Sequence, residues 1–88
     1  MKITLKLYAR LAQYLPAGAA ENQARIELAE GASVNQVLEQ FGLPPAHCHL
    51  VLVNGVYVAP SERPQTALRP DDVLAVWPQV AGGGWPGG

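Results

Sequence analysis

Three consecutive residues carry side chains suited to metal and thiol chemistry: His47, Cys48 and His49. Read at the edge of a strand, the two imidazoles share one face and the thiol opposes them, so the three do not converge on one ion. No second pair of ligands stands elsewhere in the chain, so the expectation is no metal site. Nothing close in sequence lowers the pKa of Cys48, which reads as an unreactive thiol. Arg10, Arg63 and Arg69 read as solvated surface charges, with partner docking as the alternative role, assigned here to Arg10. The other candidate is not a side chain at all. Residues 80–88 hold five glycines and no charge, with Trp85 and Pro86 between two Gly-Gly pairs, and Gly88 ends the sequence with a free carboxyl group. Glycine loses the most backbone entropy on ordering and Pro86 lacks a donor, so a flexible tail is expected. Extended at about 3.3 Å per residue, it reaches roughly 30 Å, enough to thread into another protein's active site.

Such a tail needs a base, and the composition supplies one. The chain has 88 residues, enough for one domain, and is 49% hydrophobic with 15% charged residues, which argues against disorder of the whole. Net charge is −1 and the basic residues do not cluster, so no nucleic-acid footprint is present. A single cysteine leaves no internal disulfide, which fits a reducing compartment. No signal peptide and no run of membrane-spanning length is seen, so a soluble, cytoplasmic protein is expected.

Ile3, Leu5 and Leu7 alternate with Thr4, Lys6 and Tyr8, the pattern of a half-buried strand. Leu11, Tyr14 and Leu15 then take helical spacing, and Pro16 stops a short helical turn before a loop at Ala17, Gly18, Ala19 and Ala20. A second alternating run, residues 24–28, predicts a strand antiparallel to the first. Ser33 reads as the N-cap of a helix over 34–41, whose Val34, Val37, Leu38 and Phe41 form one apolar stripe. Gly42 and Pro44-Pro45 end it. Residues 50–53 and 56–58 flank Asn54-Gly55, which favours a type I′ hairpin turn. Residues 59–67 read as irregular, and 73–77 as a last strand closed by Pro78. The order β, β, α, β, β, β predicts an α+β, β-grasp (ubiquitin-like) fold: a mixed sheet of about five strands crossed by one main helix. In that arrangement the first and last strands are parallel central neighbours, so residues 1–79 form a rigid domain and residues 80–88 leave from a well-anchored strand.

The chain resembles the small sulfur carriers of the MoaD/ThiS group. The resemblance rests on Tyr8-Ala9-Arg10-Leu11, Gly31-Ala32-Ser33-Val34, Leu52-Val53-Asn54-Gly55, Leu68-Arg69-Pro70-Asp71-Asp72-Val73 and Trp77-Pro78-Gln79-Val80-Ala81-Gly82-Gly83. The first and last of these are most similar to the molybdopterin synthase small subunit. The resemblance implies a carrier and not an enzyme, with no cofactor bound. An E1-like adenylating partner of the MoeB/ThiF type uses ATP to convert the terminal glycine to an acyl-adenylate, then a thiocarboxylate, and a synthase large subunit or another acceptor takes the sulfur. Glycine suits this, because no Cβ obstructs the approach to an electrophile in a narrow channel. Family members end at the Gly-Gly matched by Gly82-Gly83, whereas this chain continues through Gly84, Trp85, Pro86, Gly87 and Gly88. The expectation is activation at Gly88, with Gly83 exposed by processing as the alternative and loss of carrier function as a third. Gly82, Gly83, Gly84, Trp85 and Gly87 are expected to line the partner's channel, Trp85 as an anchor or folded back on its own domain. Trp77 reads as core or sheet surface, and with Pro78 as part of an apolar docking patch. Rival readings are a carrier for thiamine, cysteine or a secondary metabolite, a ubiquitin-like modifier, and an adaptor that uses no tail chemistry.

Overall fold

Burial along the first strand, β1 (Lys2–Leu7), follows its alternation: Ile3, Leu5 and Leu7 are fully buried while Lys2, Thr4 and Lys6 face outward. In the computed structural model, which describes residues 1–79, β1 is followed by a 3-10 helix, Ala9–Tyr14, that buries Leu11. Then come β2 (Gln23–Glu27), the helix α1 (Val34–Gln40), β3 (Leu50–Val53), β4 (Val56–Tyr57) and β5 (Val73–Trp77). The strands form one sheet in the order β2-β1-β5-β3-β4. β1 runs antiparallel to β2 and parallel to β5, and β5 runs antiparallel to β3. The β-grasp arrangement expected from the order of elements is the one observed.

The helix carries its own stop signals. Gln36 N–H donates to Ser33 Oγ at 3.1 Å, and Ser33 N–H donates back to Gln36 Oε1 at 2.8 Å, so the two satisfy each other's orphan groups at the N-terminus. At the other end Gly42 takes φ +72°, letting Leu43 N–H reach Leu38 O at 2.9 Å and Gly42 N–H reach Glu39 O at 3.0 Å. That pair of bonds satisfies carbonyls the helix leaves open. Val34, Val37 and Leu38 are buried on the core face, as their spacing predicts. The hairpin turn is also as read: Asn54 and Gly55 both have positive φ, 50° and 83°.

Three expectations are corrected. Residues 59–67 are not irregular throughout, since Pro60–Gln65 forms a 3-10 helix with proline in its first turn, where a missing N–H costs nothing. His47 and Cys48 do not lie on a strand. His47 ends a second short 3-10 helix, Pro45–His47, and Cys48 folds inward to donate to Pro44 O at 3.4 Å. Arg63 is not a solvated surface charge: it is only 5% exposed, with Nε and Nη2 lacking a hydrogen-bond partner among the described residues.

Candidate functional site

The strand that leads toward the glycine-rich segment is the central one of the sheet. β5 is bonded along both sides, to β1 and to β3. At its end, Tyr8 N–H donates to Val76 O at 3.1 Å and His49 N–H donates to Trp77 O at 3.0 Å. Its start is pinned by side chains. Asn54 N–H donates to Val73 O and Val73 N–H to Asn54 Oδ1, both at 2.8 Å, while Asn54 Nδ2 donates to Asp72 Oδ1 at 2.9 Å. Asp72 Oδ2 in turn accepts from Arg69 N–H at 2.8 Å. Asn54 thus shapes the β3–β4 turn and also sets where β5 begins. Sequence periodicity marks it as a turn residue and gives no sign of this second role.

Two faces of β5 have different tasks. Leu74 and Val76 point into the core and are fully buried. Val73, Ala75 and Trp77 point to the face away from the helix, beside Thr4, Lys6 and Tyr8 of the β1 segment and opposite Leu50 and Leu52 of β3. Trp77 is half-buried and stacks flat on Tyr8, ring centroids 4.2 Å apart at an interplanar angle of 4°. Its indole Nε1 is buried without a hydrogen-bond partner among the described residues. Exposed Tyr57 extends the same face across β4. This is an amphipathic surface of aromatic and aliphatic groups at the end of the anchored strand.

Of the predicted docking residues, Trp77 lies on this face. Pro78 is fully buried, so its side chain packs and does not present a surface. Arg10 is exposed on the 3-10 helix that follows β1. Tyr8, which its alternation marks as an outward strand residue, is Trp77's stacking partner. The tail residues Gly82, Gly83, Gly84, Trp85, Gly87 and Gly88 lie outside the described residues. Among the described residues, no three His, Cys, Asp or Glu side chains come together as a metal site. Burial pushes the Cys48 thiol pKa up, and the Arg63 charge opposes that shift without overcoming it. A basic neighbour is therefore present, yet the net shift of the thiol is upward. A cleft of about 420 Å³ lies against the loop after Pro16, but Arg25 in its lining is already held by Asp71 at 2.8 Å. No helix among the described residues is long and apolar enough to cross a membrane.

The family model described as Mut7-C ubiquitin matches residues 1–82. The chain belongs to the Mut7-C ubiquitin family. No curated protein matches it. Among solved structures, this Mut7-C ubiquitin domain is similar to a Pyrococcus furiosus protein assigned as molybdopterin converting factor subunit 1. The two are 29% identical over 90% of this chain and 98% of that one, with a TM-score of 0.64. A structure of SAMP1 from Haloferax volcanii aligns over 94% of this chain and all of that one, at 24% identity and a TM-score of 0.66. A structure of Haloferax volcanii small archaeal modifier protein 1 aligns at 25% identity over 90% of this chain and 98% of that one, TM-score 0.65. The Mut7-C ubiquitin chain is thus a ubiquitin-like β-grasp protein of MoaD/ThiS-like type.

Proposed function

We propose that this Mut7-C ubiquitin chain is a sulfur carrier that acts through its terminal glycine, Gly88. An E1-like adenylating partner of the MoeB/ThiF type brings the Gly88 carboxylate against the α-phosphorus of ATP. The carboxylate oxygen forms the acyl-phosphate bond and pyrophosphate leaves. Hydrosulfide supplied by the partner system then attacks the acyl carbon, AMP leaves, and the thiocarboxylate remains to donate sulfur to a synthase large subunit or another acceptor. The domain itself binds no cofactor and supplies no catalytic side chain; ATP belongs to the partner. The observation that carries this reading is the anchorage of β5, bonded on both sides and followed in sequence by the glycine-rich residues 80–88. Beside it the Tyr8–Trp77 face offers the partner a rigid aromatic contact. Similarity to the Pyrococcus furiosus converting-factor subunit supports molybdenum or tungsten cofactor biosynthesis as the pathway.

Two narrower alternatives have support of their own. The sequence continues five residues past the Gly82-Gly83 pair, so Gly83, exposed by removal of residues 84–88, is the alternative activated residue. Similarity to small archaeal modifier protein 1 favours a modifier, in which the activated glycine forms an isopeptide bond to a lysine. The test is ATP–pyrophosphate exchange catalysed by the host's E1-like enzyme. Exchange is expected with the 88-residue chain and lost on deleting Gly87-Gly88. Exchange retained only by a chain ending at Gly83 transfers the role to that residue. Protein conjugates that vanish on removal of the active glycine identify a modifier, and no exchange with either form overturns the proposal.

A further inference from the structure

β2 is an edge strand, and its open side is short and bounded. Leu7 N–H donates to Asn22 O at 2.9 Å and Leu28 N–H donates to Met1 O at 2.7 Å. Backbone groups alternate sides along an antiparallel strand, so Asn22, Ala24, Ile26 and Leu28 face β1 while Gln23, Arg25 and Glu27 face away. Gln23 is already occupied on that side: it exchanges two hydrogen bonds with Ala20, both 3.1 Å. Past the other end, Ala29 O accepts from Ala32 N–H at 3.1 Å as the chain turns away. Among the described residues, what remains open is the N–H and C=O of Arg25 and of Glu27.

Those groups are complementary to themselves. If a second copy of β2 lies antiparallel, with a twofold axis at Ile26, Arg25 stands opposite Glu27 of the second copy and Glu27 opposite its Arg25. Both are then hydrogen-bonded pairs, and every open backbone group on the two edges finds a partner. The side chains of both residues lie on the face away from the helix, so the same register sets opposite charges across the seam twice. Sliding by two residues sets Arg25 against Arg25 or Glu27 against Glu27, and sliding by one turns the open groups away from each other. Charges on an edge strand ordinarily repel a newcomer; here their order selects one register and favours it. Both side chains are largely exposed, Arg25 50% and Glu27 67%; Glu27 Oε2 already accepts from the Met1 ammonium at 2.9 Å, which leaves Oε1 for a second donor. Arg25 is already oriented by Asp71 at 2.8 Å and retains donors for a second carboxylate.

We propose that this chain self-associates through β2, as a twofold dimer whose two sheets join edge to edge in the Ile26-centred register. The seam is small, so the dimer is weak and forms with rising concentration. β1 separates β2 from β5, so association leaves the end of β5 open and stands independently of the carrier reading.

Sedimentation equilibrium over a series reaching millimolar protein tests this. The weight-average mass of the unaltered chain is expected to climb from 9.4 kDa toward twice that value, less steeply at high salt. Glu27→Lys leaves the Arg25–Asp71 contact intact but removes the Met1 ion pair, so it is checked for folding by circular dichroism, and it is expected to stay monomeric over the series. Arg25→Glu, checked for folding by circular dichroism, is expected to do the same alone. A mixture of the two variants restores opposite charges at both seam positions and is expected to form a heterodimer. Concentration-dependent amide shifts are expected to centre on Arg25, Ile26 and Glu27. A chain monomeric at every concentration, a Glu27→Lys variant that dimerises as well as the unaltered chain, or shifts centred on Tyr8 and Trp77 would overturn the proposal.

Discussion

Cys48 and Trp77 show how burial divides side chains that look comparable in sequence. Cys48 is 3% exposed and packed in the core, so ionising it forfeits solvation. An acid whose folded pKa lies above its unfolded value holds more protons when folded, so its contribution to stability is complete below the usual thiol pKa. It is lost as pH rises through that value toward the raised folded one. Denaturant midpoints measured across the alkaline range are therefore expected to fall, and less steeply in a Cys48→Ala variant after correction for its lost packing. Thiol-modifying reagents are expected to react with the folded chain far more slowly than with the unfolded one. Trp77 is the opposite case, half-buried and stacked on Tyr8. Trp77→Ala is expected to cost about 1 kcal/mol of stability from the lost stack beyond its lost area. It is also expected to weaken binding to the adenylating partner about tenfold or more, read by titration calorimetry. Stability loss with unchanged partner affinity would assign the tryptophan to structure alone. Neither environment was legible in full. The stack requires the parallel register of β1 on β5, which joins residues 69 positions apart, and no local pattern reports it. Arg63 was misread for a related reason, since a stretch rich in proline and polar residues reads as loop whether or not the fold presses it inward.

At the scale of elements, local rules were strong enough to be read directly. The Ile3, Leu5, Leu7 alternation, the Val34, Val37, Leu38 stripe and the Asn54-Gly55 turn all lie where sequence periodicity and turn chemistry place them. What sequence understated was how elements are joined. Ser33 was legible as a cap, but its reciprocal bond with Gln36 closes the helix start from both directions. Ser33→Ala is expected to cost about 1 kcal/mol, measured as a lower urea midpoint with an unchanged slope. Asn54→Ala is expected to cost more, about 2 kcal/mol, because it removes bonds to Asp72 and Val73 as well as a residue at ease with positive φ. Equal losses at the two sites would contradict the claim that Asn54 also fixes the start of β5.

For the whole molecule, the β-grasp topology converts a terminal segment with no reactive side chain into a candidate for chemistry. β5 occupies the middle of the sheet, with β1 and β3 as neighbours and the Tyr8–Trp77 face beside its end. The order of elements made that placement readable before any coordinate, because one helix after two strands leaves few ways to cover a mixed sheet. Which of Gly83 and Gly88 the proposed activation uses was not readable, since nothing in a run of glycines distinguishes one carboxyl from another until a partner's channel measures its length. The central claim is that the terminal glycine is activated and takes up sulfur, and intact-mass spectrometry tests it most directly. After incubation with the E1-like enzyme, ATP and a sulfur donor, the chain is expected to gain the mass difference between one sulfur and one oxygen, located on the terminal glycine by fragmentation. An unchanged mass with every adenylating partner of the host would contradict the account.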